Sequence, residues 1–403
     1  MIKTISVKMR NKIHSLVIIL MAISLPAKPD TIPTGFSRPV EWRISTEISP
    51  AWVPGTNSCL RGENLAGKII DSNLTGTLRM DFSFNPETRE GLLYKGVYQG
   101  VGIDINTFHA DNVLGTPVSL YIYQGAPIAH LSKRLWLGYE WQFGAAFGWK
   151  HSNRENAEQN TVVSTSVTAH MGIGLKFHYD LDDRWRMMLG VNANHYSNGN
   201  TSWPNAGVNT IGATVGLAYT INPQKEHHKP APDIEQEADR RRWFYDIMAY
   251  VALRKRIVYI GENSEPQLCN SVFGIAGLQF APMYRLNRWV AVGPAADLQW
   301  DESAGLASYL VTGNHDEGMK FMRPPFHKQI KAGLSAHAEL TMPVFSLNAG
   351  IGYDIINPQG DKRFYQSLAL KTFITRRFFL NVGYRLGNFN EPQNLMIGAG
   401  IRL

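Results

Sequence analysis

Trp185-Arg186-Met187-Met188-Leu189-Gly190-Val191-Asn192-Ala193-Asn194-His195-Tyr196-Ser197 is the stretch on which the reading of the chain turns. Side chains on a strand alternate between faces. Leu189, Val191, Ala193, His195 and Ser197 therefore share one face, and Gly190, Asn192, Asn194 and Tyr196 share the other. The first face is apolar until its end, where a base and a hydroxyl stand two residues apart. Asn198-Gly199-Asn200 and Trp203-Pro204-Asn205 then read as a loop. A second strand follows, whose positions Asn209, Ile211, Ala213, Val215, Leu217 and Tyr219 form another apolar stripe with a polar head.

The same alternation recurs outward along the chain in stretches of about ten residues, separated by polar or Pro/Gly breaks. The 403 residues include 36 Gly, 10 Trp, 16 Tyr and 18 Phe, and long helical periodicity is missing. Candidate strands in the first half are 40–52, 76–84, 95–107, 117–123, 135–149, 162–178, 185–197 and 207–221. Those in the second half are 243–260, 270–281, 288–300, 328–342, 344–356, 364–375, 377–387 and 394–403. About 9–11 residues suffice to cross a bilayer when tilted, and even strand numbers are the rule for bacterial barrels. The fold expected is all-β: an antiparallel outer-membrane β-barrel, as two tandem eight-stranded barrels. One sixteen-stranded barrel with an aqueous lumen is the alternative. The hydrophilic stretch 222–242 favours the tandem arrangement, because it is longer than a periplasmic turn needs. A secreted soluble β protein fits poorly, given how many strands carry an apolar outer stripe.

The N-terminus supports export. Lys3, Lys8, Arg10 and Lys12 precede the apolar run Leu16–Ile23, and Ser24-Leu25-Pro26-Ala27 follows. That is the layout of a signal peptide over 1–27. No later run reaches the roughly 18 apolar residues that a spanning helix needs. The expected organisation is thus a signal peptide (1–27), a first barrel (28–221), a linker (222–242) and a second barrel (243–403). The localisation expected is the outer membrane of a Gram-negative bacterium.

The formal net charge is +7, but the basic residues are scattered. A nucleic-acid partner is not expected, whereas anionic lipid headgroups are. His227-His228 sits in a charged linker, so no metal or other cofactor is expected. Cys59 and Cys269 lack metal-ligand spacing. A disulfide and two free thiols are both open, as is homo-oligomerisation.

An imidazole two residues from a serine on one strand face is the usual remedy for serine's poor nucleophilicity. In an even barrel the seventh strand ends at the outer rim, and Asn209 on the eighth lies at the same height on the same outward face. A small soluble substrate would enter a pocket; an outward-facing pair is reached sideways, by a substrate dissolved in the outer leaflet. Laid against the first half, the seventh strand of the second half has Tyr384 where His195 stands and Leu386 where Ser197 stands. The second barrel is therefore expected to lack the His/Ser pair.

The longer pattern, His195-Tyr196-Ser197-Asn198 followed by Pro204-Asn205-Ala206-Gly207-Val208-Asn209, resembles the signature of the PagL family of lipid A 3-O-deacylases. The resemblance implies an eight-stranded outer-membrane barrel that hydrolyses an ester-linked acyl chain of lipid A, so that lipopolysaccharide is the expected partner. It implies Ser197 as nucleophile, His195 as general base and Asn205 in the oxyanion hole. The family's third catalytic residue is a glutamate, and that position falls on Asn209. An amide carbonyl can accept from the ring N–H and fix the tautomer, but it supplies no negative charge. Asp180, Asp182 and Asp183 lie at the wrong end of strand seven to substitute, and Glu140 is not adjacent by sequence. The alternative to an esterase is a non-enzymatic barrel, structural or porin-like.

Overall fold

The computed structural model describes residues 40–403 apart from 87, 152–159, 200, 224–241, 261–264, 270, 307–309, 313–319, 323, 343, 359–361, 376 and 390. The expected signal peptide, His227-His228 and nearly all of the linker lie outside the described residues. The first barrel consists of β1 (Val40–Trp52), β2 (Ser72–Phe84), β3 (Tyr98–Thr107), β4 (Gly115–His130), β5 (Leu135–Trp149), β6 (Val167–Asp180), β7 (Trp185–Ser197) and β8 (Val208–Thr220). Each strand pairs antiparallel with the next, and β1 closes on β8 from Arg43↔Thr220 to Trp52↔Ile211. A short helix, α1 (Arg89–Leu93), sits in the β2–β3 connection, with the Thr88 side chain accepting from Gly91 N–H.

The second barrel is built likewise from β9 (Trp243–Arg254), β12 (Phe273–Arg285), β13 (Val290–Asp301), β16 (Ile330–Thr341), β17 (Phe345–Ile356), β18 (Phe364–Phe373), β19 (Phe378–Gly387) and β20 (Glu391–Arg402). Here β20 closes on β9. Two hairpins, β10 (Ile257–Ile260) with β11 (Glu265–Leu268) and β14 (Leu310–Thr312) with β15 (Lys320–Phe321), and a helical turn, α2 (Phe326–Gln329), occupy its loops. The structure is two closed eight-stranded barrels; the sixteen-stranded alternative is not formed.

Why these residues form barrels is visible across β7 and β8. Leu189, Val191 and Ala193 stand opposite Val215, Ala213 and Ile211. Leu189 is 61% exposed and Val215 50%, whereas Tyr196, on the other face of β7, is fully buried. An exposed apolar exterior around a polar interior suits a hydrocarbon solvent. The lumens are packed with charge. In the first, Arg79 and Lys176 each bridge Glu47 and Glu140 at 2.6–3.1 Å. In the second, Lys371 and Arg402 each bridge Asp246 and Glu339 at 2.6–2.7 Å. Buried ions need such partners, because desolvation of each costs several kcal/mol. Filled lumens are what small barrels are expected to have.

One end of the first barrel carries two short turns, 131–134 and 181–184, and the 85–97 connection with α1; the other carries 108–114 and the long connections 53–71, 150–166 and 198–207. The long connections enclose an apolar cluster that includes Val53, Cys59, Leu60, Phe108, Leu114, Trp149, Val162, Val163, Tyr196 and Val208. That cluster, which the polar composition of these loops hides, caps the barrel and braces the chain after β7. Both cysteines are buried and free. Burial pushes the Cys59 thiol up to about 11.

Candidate active site

His195 and Ser197 leave β7 on its outward face, at the end with the long loops. The alternation of the strand sets this: Met188 and Tyr196, of opposite parity, are buried in the lumen, while Trp185, Met187, Leu189 and Val191 are exposed. The β7–β8 register places His195 directly opposite Asn209. Their side chains meet, with imidazole Nδ1 2.7 Å from Asn209 Oδ1. An amide oxygen only accepts hydrogen bonds. Nδ1 therefore carries the proton, and Nε2 is left as the basic nitrogen.

Ser197 is the last residue of β7. Its hydroxyl accepts the Gly199 N–H at 3.4 Å. Among the described residues no hydrogen bond joins it to His195; the structure thus brings His195 and Asn209 into contact and leaves Ser197 beside them. Asn205 returns across the loop, and its Oδ1 accepts the Asn198 N–H at 3.0 Å. This turns the Asn205 amide so that its NH2 group remains to donate elsewhere.

The loop is held from both sides. Ala206 and Gly207 donate their N–H groups to Thr161 O and Val162 O, each at 3.0 Å. Asn198 Nδ2 donates to Ser164 Oγ at 3.0 Å and to Ser202 O at 2.9 Å. The Trp203–Pro204 peptide is cis. Gly207 has a φ of +72°, and a Cβ there would lie 2.9 Å from Tyr196 O and 3.2 Å from His195 Cε1. Glycine at this position lets the returning chain lie against the imidazole.

None of the carboxylates weighed as a substitute acid reaches the ring. Asp180 pairs with Arg186. Asp182 accepts the N–H groups of Arg184 and Trp185 in the turn, which holds its carboxyl below the ordinary range. Glu140 is fixed in the lumen by Arg79 and Lys176.

A second Ser–His–Asn chain stands in the other barrel, where the sequence reading had not found one. Ser335 Oγ lies 2.9 Å from His337 Nε2, and His337 Nδ1 lies 2.6 Å from Asn348 Oδ1. All three face the lumen and are buried, and Ser335 also donates to Asp297 at 2.5 Å. The signal was available, because Ser335 and His337 are two apart on a candidate strand, the same spacing that singled out His195 and Ser197.

Residues 125–218, which hold His195, Ser197, Asn205 and Asn209, match the family described as lipid A 3-O-deacylase (PagL). Through its first half, the chain belongs to the PagL-like lipid A 3-O-deacylase family. Residues 243–403, the second barrel, match the family described as the acyloxyacyl hydrolase C-terminal domain. Among solved structures the chain is similar to the outer membrane enzyme PagL, at 13% identity over 43% of this chain and 97% of that one, with a TM-score of 0.29. It is also similar to Neisserial surface protein A, at 9% identity over 45% of this chain and 97% of that one, with a TM-score of 0.28. No curated protein sequence matches.

Proposed function

We propose that this PagL-like chain is an outer-membrane serine esterase that removes the 3-O-linked acyl chain from lipid A in a Gram-negative bacterium. Residues 28–221 form the catalytic unit and 243–403 the second barrel. The observation that carries the reading is the outward His195–Asn209 hydrogen bond beside Ser197, at the long-loop rim of a closed barrel. A group placed there meets lipid headgroups and ester linkages rather than a water-filled pocket.

The chemistry follows from the donors at hand. Ser197 exchanges its contact with Gly199 N–H for the imidazole, as catalytic hydrogen bonds tighten with substrate bound. His195 Nε2 takes the hydroxyl proton as Oγ bonds to the ester carbonyl carbon, and Asn209 Oδ1 holds the resulting imidazolium through Nδ1–H. The oxyanion accepts from the Asn205 NH2 group. Collapse breaks the bond to the sugar oxygen, which takes the proton from Nε2. Water then attacks the acyl-enzyme by the same route in reverse, releasing a fatty acid and restoring Ser197.

Mass spectrometry of lipid A from cells with and without the protein tests this. Loss of one ester-linked chain is expected with the wild type and not with Ser197→Ala; unchanged acylation with folded wild-type protein in the membrane refutes it. One observation favours a second reading, a structural barrel without catalysis: the ring is oriented by an amide where the family motif has a carboxylate. The same experiment separates the two.

A further inference from the structure

The loop that follows Ser197 rests on the second barrel. Gly199 has a φ of +61°, and a methyl placed on it would come within 3.0 Å of Leu395 Cδ2 and 3.4 Å of Tyr384 Cε2. Just beyond, Thr201 O accepts the Lys255 N–H at 2.9 Å, past the end of β9. Elsewhere along the contact, the rings of Trp141 and Phe345 are 5.4 Å apart and Gln124 donates to the Met342 sulfur. Tyr384 and Leu395 are cross-strand partners on β19 and β20. They face outward, since their neighbours Arg385, Asn394 and Met396 are buried in the second lumen. Both are half-buried. The nucleophile proposed above and this apolar pair are thus separated by little more than the Gly199 turn, where the two barrels meet.

Resting on the esterase reading, we propose that Tyr384 and Leu395 form the far wall of an acyl groove. The fatty acyl chain of the ester cleaved at Ser197 lies between them and the outward stripe of β7, Val191 and Ala193. The second barrel is then part of the substrate-binding apparatus and selects for acyl length. Its contribution is orientation. An acyl chain leaving the leaflet exchanges one apolar surrounding for another, so the wall gains little by hydrophobicity. Confining the chain fixes the ester carbonyl over Ser197, and small losses of such alignment are costly in rate.

A long-chain alkyl fluorophosphonate with a diazirine midway along its chain tests the two readings separately on the full-length protein in lipopolysaccharide-containing vesicles. Phosphonylation of Ser197 forms the Oγ–P bond and expels fluoride; photolysis then joins the tail to whatever lies beside it. The expected result is a Ser197 adduct with cross-links in the peptide holding Tyr384 to Leu395. A Ser197 adduct whose cross-links all fall within 167–220 overturns the groove and spares the esterase. Absence of the adduct on folded protein overturns the esterase, and the groove with it. In parallel, Tyr384→Ala with Leu395→Ala should lower the ratio of dodecanoyl to butanoyl nitrophenyl ester hydrolysis about tenfold. Leu334→Ala, exposed on β16, should leave that ratio alone. An unchanged ratio in the folded double variant overturns the proposal, and if that variant does not fold the cross-links decide.

Discussion

Asn209 stands where the resemblance read from the sequence implies a glutamate, and its contact with His195 is what an amide can supply there. The amide oxygen still accepts from His195 Nδ1 at 2.7 Å, so the tautomer is fixed. What is lost is a negative charge beside the imidazolium. In the serine proteases, exchanging the acid for its amide costs about 10⁴ in rate through the wrong tautomer; with the tautomer kept, only the part due to charge is lost. Asn209→Glu is therefore expected to raise kcat/KM on a long-chain ester by about 10²-fold, read in a steady-state assay on folded protein. No increase would mean that the missing negative charge does not limit the reaction. Gly207 makes a second point at this scale. Gly207→Ala places a side chain in a left-handed conformation, at about 1–2 kcal/mol, and presses on His195 Cε1. Hydrolysis should fall more than stability does, measured as ester turnover beside the urea midpoint. The His195/Ser197 pair was legible because its residue types sit two apart at the end of an apolar stripe. The Asn205–Asn198 contact was not, because it depends on how a loop folds back.

At the scale of elements, the strands with an unbroken lipid-facing stripe were legible to the residue: β1, β5 and β7 begin and end where alternation begins and ends. β4 was not. Its last residues include Gly125 and Pro127, which read as a break, yet the strand continues to His130 with Pro127 at a register shift in the β4–β5 ladder. A bulge is where a sheet tolerates a residue that cannot donate to the ladder. β9 was read as running to 260, but it ends at Arg254, and 257–260 turns back on 265–268 as a hairpin of its own. The apolar cluster under the long loops escaped notice because its members are scattered among polar residues. It supplies a prediction: Cys59 is buried there, and its raised pKa keeps it a thiol. At pH 8 it should react with iodoacetamide only after denaturation, followed by mass spectrometry. Rapid labelling of the native protein would show that the cap is open.

For the whole molecule, alternation and the hydrophilic stretch near residue 230 indicated two cylinders, while the lumen ion clusters are pairings of distant strands that no local pattern reveals. Lys176→Met leaves Glu47 and Glu140 short of one cation inside the first barrel. Removing one member of a buried ion cluster costs about 3–5 kcal/mol, so the folded band on an unheated gel should convert at lower temperature or less urea. Unchanged resistance would show that Arg79 alone satisfies both acids. With both lumens filled by side chains, planar bilayers should show no large stable conductance steps; their appearance would contradict closed, plugged barrels. The contact through Trp141, Phe345, Gln124 and Met342 carries one more consequence. Two cylinders joined along their walls cannot spin or drift apart independently. In the plane of the membrane the molecule is an oblong raft, and its rotational diffusion should be that of a body longer in one direction than the other.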